Sequence, residues 1–200
     1  MLFRSGMTLR DRELPELLVI VASRADAVAL SPLATMQDAV RATLVATGPD
    51  PMLVDEALDE LDTPAGRILL PELGDDERSP ATELAGLLPR LENLVAQADT
   101  AAVVVRGGTS TALAGAQIAV WRRLPLIALD APPGSRTDAA NRSMIAQLAA
   151  WQSTEMGGTV FPAWLDLVVH QRVAAPSPAD VVLGIAPGHA GPSIAPGLSA

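Results

Sequence analysis

The sequence predicts an α/β protein, a single Rossmann-like three-layer domain around a mostly parallel sheet. Three observations predict it. Short apolar runs alternate with helix-like segments through residues 1–155, the pattern of successive βαβ units. The runs are apolar at consecutive positions, as in strands covered on both faces. Hydrophobic residues make up 49% of 200 positions, enough for one buried core.

The elements follow in order. LLVIVAS (17–23) reads as the first strand and ADAVALSPLATMQDAV (25–40) as a helix that Pro32 should tighten or break. RATLVAT (41–47) is the second strand, ended by Gly48-Pro49-Asp50-Pro51, and MLVDEALDEL (52–61) is a helix with an acidic outer face. GRILLPEL (66–73) reads as the third strand. Ser79 and Pro80 have the types expected at the cap and first position of a helix over 80–97, which Pro89 should kink.

AAVVVRG (101–107) is the fourth strand and TSTALAGAQIAVWRR (109–123) a helix ending in Arg122-Arg123, where cations suit the dipole. PLIALDA (125–131) is the fifth strand. DAANRSMIAQLAAWQ (138–152) reads as a helix with Asp138 at or near its cap. Residues 164–172 and 179–188 read as further strands. The domain is expected to span 1–185, followed by a Pro/Gly/Ala-rich arm over 186–200.

Composition excludes several function classes. All fourteen basic residues are Arg, so chemistry that needs a P-loop lysine, a lysine Schiff base or a Tyr–Lys pair is closed to this chain. There is no cysteine and there are two histidines, His170 and His189, so neither a thiolate nor a three-histidine metal site is expected. No metal or other cofactor is expected. The net charge of -9 argues against nucleic acid, and no run reaches the ~20 apolar residues of a membrane helix. The absence of cysteine suits a reducing compartment, and a cytoplasmic location is expected.

Parallel sheets gather ligands at the carboxyl ends of their strands. Arg24, Gly48, Gly107, Gly108 and Asp130 should share that edge. The turn Gly107-Gly108-Thr109-Ser110-Thr111 opens a helix and has two readings. Its backbone N–H groups could hold a phosphate or carboxylate, or its hydroxyls could cap the helix while its glycines allow a tight turn. Arg24 is either ligand-facing or a partner for Asp50. Asp130 is either a base or the partner of Arg24 or Arg136, and Arg142 either meets a ligand or bridges to Asp138.

Four blocks resemble the N-terminal half of the non-hydrolysing UDP-N-acetylglucosamine 2-epimerases. ASRADAVALSPL (22–33) resembles G-T-R-P-E-A-I-K-x-A-P, and ATGPDPMLVDEAL (46–58) resembles T-G-Q-H-x-E-M-L-D-x-x-L. VVVRGGTSTALAGAQIAVWRRLPL (103–126) resembles V-x-G-D-T-x-T-x-x-A-G-x-x-A-A-F-x-x-x-I-P-V. IALDAPPGSRTDAANRSM (127–144) resembles G-H-V-E-A-G-L-R-T followed by P-E-E-x-N-R. The resemblance implies one half of a GT-B-like fold, commonly dimeric, in an enzyme that eliminates and re-adds UDP across C1 and C2 of the sugar.

The departures fall on the positions that carry this chemistry. Gly108 stands where the resemblance implies the G-D-T aspartate, Asp130 where it implies a glutamate, and Ala128 where it implies a histidine. The P-E-E pair corresponds to Asp138 and Ala139, and Asp50 replaces the T-G-Q-H histidine. Asp130 and Asp138 are therefore the remaining catalytic candidates. Arg24, Gly107, Gly108, Thr109, Ser110, Thr111, Arg136, Asn141 and Arg142 are the ligand-binding candidates.

The leading expectation is a catalytically degenerate relative that binds a UDP-sugar or other small anionic ligand, or a protein partner. Two alternatives remain: an isomerase half completed by another chain or by self-association, and a structural domain that forms homodimers.

Overall fold

The structure, a computed structural model, describes residues 14–37, 40–63, 66–70 and 79–153. Its elements in chain order are β1 (Glu16–Val21), α1 (Arg24–Thr35), β2 (Arg41–Ala46), α2 (Pro51–Glu60), β3 (Gly66–Leu69) and α3 (Pro80–Gln97). β4 (Thr100–Arg106), α4 (Ser110–Trp121), β5 (Leu126–Leu129), α5 (Arg136–Leu148) and β6 (Trp151–Ser153) follow. The strands form one six-stranded sheet in the order β3-β2-β1-β4-β5-β6, and every described pairing is parallel. This is the Rossmann strand order.

The consecutive apolar residues of each strand divide between two cores, because successive side chains leave a strand on opposite faces. Leu17, Val19 and Val21 pack with Leu30 and Leu33 of α1 and Leu58 of α2. Leu18 and Ile20 pack on the other side with Leu91 of α3, Ile118 of α4 and Ile145 of α5. α4 is buried almost all round, as expected of a helix apolar on every side. Its small residues let it lie close to the sheet: a methyl group on Gly115 would stand 3.1 Å from both Ile20 Cγ1 and Val105 Cγ1.

Each helix begins at a side-chain cap. Ser23, Asp50, Ser79, Thr109 and Ser135 accept from the backbone N–H groups of Asp26, Leu53, Thr82, Ala112 and Asp138. Ser79 and Pro80 open α3 as the sequence predicts, and the helix continues across Pro89. α1 also continues past Pro32 and ends at Thr35. Proline removes the donor for the Val28 carbonyl, and the Ser31 hydroxyl donates to that oxygen at 3.1 Å instead.

The reading of residues 138–152 as one helix needs correction. α5 starts at Arg136 behind its cap Ser135, and it stops at Leu148. The chain then adds β6 to the sheet, led in by Ala150 N donating to Leu126 O at 2.8 Å. The apolar residues there suit either element, and the unpaired edge of β5 decides between them.

The segments read as strands at 164–172 and 179–188, the boundary proposed at 185, and both histidines lie outside the described residues. No described helix is long and apolar enough to cross a membrane.

Candidate functional site

The strand order reverses between β1 and β4, and in an open α/β sheet the ligand crevice lies outside the carboxyl ends at that point. An ion pair occupies it here. Arg106, the last residue of β4, donates from Nη1 to Asp26 Oδ1 at 2.8 Å, with side chains 19% and 7% exposed. The second Asp26 oxygen accepts from Ala22 N at 3.3 Å, which ties down the end of β1. The sequence reading singled out neither residue. The available clue was a charge closing an otherwise apolar strand, and Asp26 lies inside the quoted block 22–33.

Arg24, two residues away, is directed outward to Glu60 of α2 and is well exposed. The hydrogen bond to Glu60 and its charge hold this guanidinium above its ordinary value. Asp50 was the partner weighed for Arg24, but its carboxylate caps α2 by accepting from Leu53 N at 3.0 Å.

The turn after β4 is shaped by its neighbours. Gly107 has φ +70°, in the left-handed region that glycine enters freely. Gly108 lies against the backbone of α5. A Cβ there would overlap the Asp138 carbonyl oxygen and stand 2.8 Å from Arg142 N. Those two atoms are partners in one i to i+4 helical bond, so a side chain on Gly108 would wedge into the helix itself. Asn141, buried on α5, donates from Nδ2 to Gly108 O at 3.0 Å and fixes the approach.

Thr109 Oγ1 accepts from Ala112 N at 3.1 Å, Ser110 is the first residue of α4, and Thr111 is buried with no partner for its hydroxyl among the described residues. The start of α4 is thus capped by its own threonine, and the glycine just before it packs against α5. Thr109→Ala is expected to lower stability by about 1 kcal/mol, measured as a shift in urea midpoint at unchanged slope.

Asp130 and Arg142 meet each other. Arg142 Nη1 donates to Asp130 Oδ1 at 3.0 Å and to Ala131 O at 3.1 Å. Asp130 therefore pairs with neither Arg24 nor Arg136, and Arg142 does not bridge to Asp138. Its position on α5 carries it toward the end of β5. Asp138 lies in the first turn of α5, where a Cβ on Gly134 would stand 3.1 Å from its Oδ2. Arg136, the first residue of α5, is exposed.

Beside the switch point, between the ends of β4, β5 and β6 and the inner side of α5, lies a cavity of about 430 Å³. Ala128, Leu129, Ile145 and Ala146 supply apolar lining, and Gly107, Asp130, Arg142, Ser143 and Gln152 complete it. Three of the candidates, Gly107, Asp130 and Arg142, are brought together here. Arg24, Gly108, Thr109, Ser110, Thr111, Arg136, Asp138 and Asn141 are not among its lining residues. Ser143 and Gln152 were not anticipated, since nothing in sequence marks a helix serine or an edge-strand glutamine as facing a cavity. Among the described residues no group of three His, Cys, Asp or Glu side chains could hold a metal.

A Rossmann-like α/β domain with a strand-end cavity is thus defined. No protein-family model and no curated protein sequence matches the chain. Solved structures do match in fold. A UDP-N-acetylglucosamine 2-epimerase structure superposes with a TM-score of 0.61 at 19% identity, over 70% of this chain and 41% of its own. The enzyme from Methanocaldococcus jannaschii gives 0.59 at 18% identity, over 79% and 43%. That from Neisseria meningitidis, bound to UDP-GlcNAc, gives 0.58 at 17% identity, over 68% and 39%. The chain has the fold of one half of these GT-B-type epimerases and spans about two fifths of their length.

Proposed function

We propose that the chain is a catalytically degenerate epimerase-like domain that keeps the strand-end cavity as a binding site. The packing of Gly108 against α5 carries this reading. The resemblance implies a carboxylate at Gly108, and the α5 backbone at Asp138 and Arg142 leaves no room even for a Cβ there. Further support comes from Asp130, which is tied to Arg142 and is the only carboxylate among the described residues lining the cavity. Moving a proton on and off a sugar carbon while expelling UDP calls for more than one positioned acid or base, each contributing about 10²–10⁴ in rate.

UDP-GlcNAc incubated with the full chain is expected to yield neither UDP-ManNAc nor free UDP above the uncatalysed rate, followed by anion-exchange chromatography. Sustained turnover by the isolated chain would overturn the reading.

A further inference from the structure

We infer that the switch point holds a separate site, in which Arg106 grips the carboxylate of a small monoanionic ligand while Asp26 fixes the arginine in place. This goes beyond the role proposed for the strand-end cavity and does not depend on it.

The strands themselves open the gap. β1 and β4 are paired only as far as Val19 and Val104, whereas β1 stays paired with β2 to Val21 and β4 with β5 to Arg106. The ends of β1 and β4 therefore diverge, and Arg106 stands on one side of the opening. α1 starts just beyond β1 and α4 just beyond β4, so two helix N-termini flank it. Asp26, in the first turn of α1, offsets one of them, and the first turn of α4 carries no acid.

Arg106 is held by one corner only. Nη1 donates to Asp26 Oδ1 at 2.8 Å, and Asp26 Oδ2 is taken by Ala22 N, so this carboxylate does not span the side edge of the guanidinium. Nε and Nη2 have no partner among the described residues. Neither is sealed, because the buried side-chain atoms left without a partner there are Thr100 Oγ1 and Thr111 Oγ1. The Nε–Nη2 edge presents two parallel N–H groups, which match the two coplanar oxygens of a carboxylate. With the side chain 19% exposed, water competes weakly for that edge.

Charge decides which anion is held. The cost of desolvating an anion grows with the square of its charge, but its attraction to a single guanidinium grows only in proportion. A monocarboxylate is therefore favoured over a phosphate dianion or a nucleoside diphosphate. The net charge of -9 acts in the same direction.

The test titrates the full chain with acetate, pyruvate and lactate, and with inorganic phosphate and UDP, at constant ionic strength. Binding is read in proton–nitrogen NMR spectra from the backbone amides and from the Arg106 Nε–H signal, which Arg106→Lys identifies by its loss. At least one monocarboxylate is expected to shift that signal and the amides of Ala22 and Gly107, and to bind more tightly than phosphate or UDP. Arg106→Lys keeps the charge but not the fork, and should weaken binding about tenfold or more.

The unmodified chain decides by itself. If no monocarboxylate shifts the Arg106 Nε–H signal, or if phosphate or UDP binds more tightly than all three, the inference is overturned. An Arg106→Lys variant that is folded by circular dichroism and binds with unchanged affinity also overturns it. None of these results bears on the degenerate-enzyme reading, which turnover of UDP-GlcNAc decides.

Discussion

Gly108→Asp, the substitution that restores the carboxylate the resemblance implies, is expected to restore no epimerase activity and to destabilise the fold by about 3 kcal/mol or more. The added Cβ would overlap Asp138 O and crowd Arg142 N, both in helical backbone, so no side-chain rotation relieves the clash. The helix would have to shift, weakening the Asn141 bond to Gly108 O and the Arg142 bonds that close the β5 end. A carboxylate introduced there would also desolvate among buried residues without a built partner. Urea denaturation of purified protein reads the stability, and UDP release reads the activity. A variant with an unchanged midpoint would mean that α5 yields readily at this contact. If it also turned over UDP-GlcNAc, a single carboxylate would separate the proposed degenerate domain from an active one.

Removal of Asp26 is the second large effect. Asp26→Ala leaves the Arg106 guanidinium mostly buried at the switch point without its carboxylate, and it also strips the acceptor from Ala22 N. Breaking a buried pair from one side costs about 3–5 kcal/mol, whereas replacing both partners by well-packed apolar groups can be nearly neutral. Asp26→Ala should therefore lose about 3–5 kcal/mol, a large share of a typical domain's margin, and Asp26→Leu combined with Arg106→Met should recover much of it. A double-mutant cycle by chemical denaturation measures the coupling. Additive losses would show that the pair contributes little and that the switch point is held by the surrounding apolar contacts.

These two sites explain why the cavity lies beside the switch point and not at it. Asp26 and Arg106 pair across the ends of β1 and β4, and the glycine turn after β4 packs against α5. The cavity lies at the next gap along the edge, between β5, β6 and α5.

Much of the architecture was legible in the sequence. Continuous apolar runs such as LLVIV and AAVVV mark strands covered on both faces, and Ser79-Pro80 marks a helix start. The alternation of these with helices dictates parallel pairing, since parallel neighbours require a crossover. Local chemistry of this kind depends on residues within a few positions of one another. The end of α5 was not legible, because Ala149-Ala150-Trp151-Gln152 suits helix and strand alike. Only the free edge of β5 recruits it into the sheet.

The candidate site was legible only in part. The sequence by itself determined β1 to β5, the edge formed by their carboxyl ends and the glycine at 108. Tertiary structure decided what that edge can do: it matched Asp130 with Arg142, Arg24 with Glu60 and Arg106 with Asp26. Spacing along the chain cannot choose among these pairings, because which charges meet is set by the packing of α1, α2 and α5 onto the sheet. The same packing turns Gly108 from an absent carboxylate into a contact that excludes one. Helix and strand follow from neighbouring residues, but charge pairing and close approach are properties of surfaces that only the folded chain brings together.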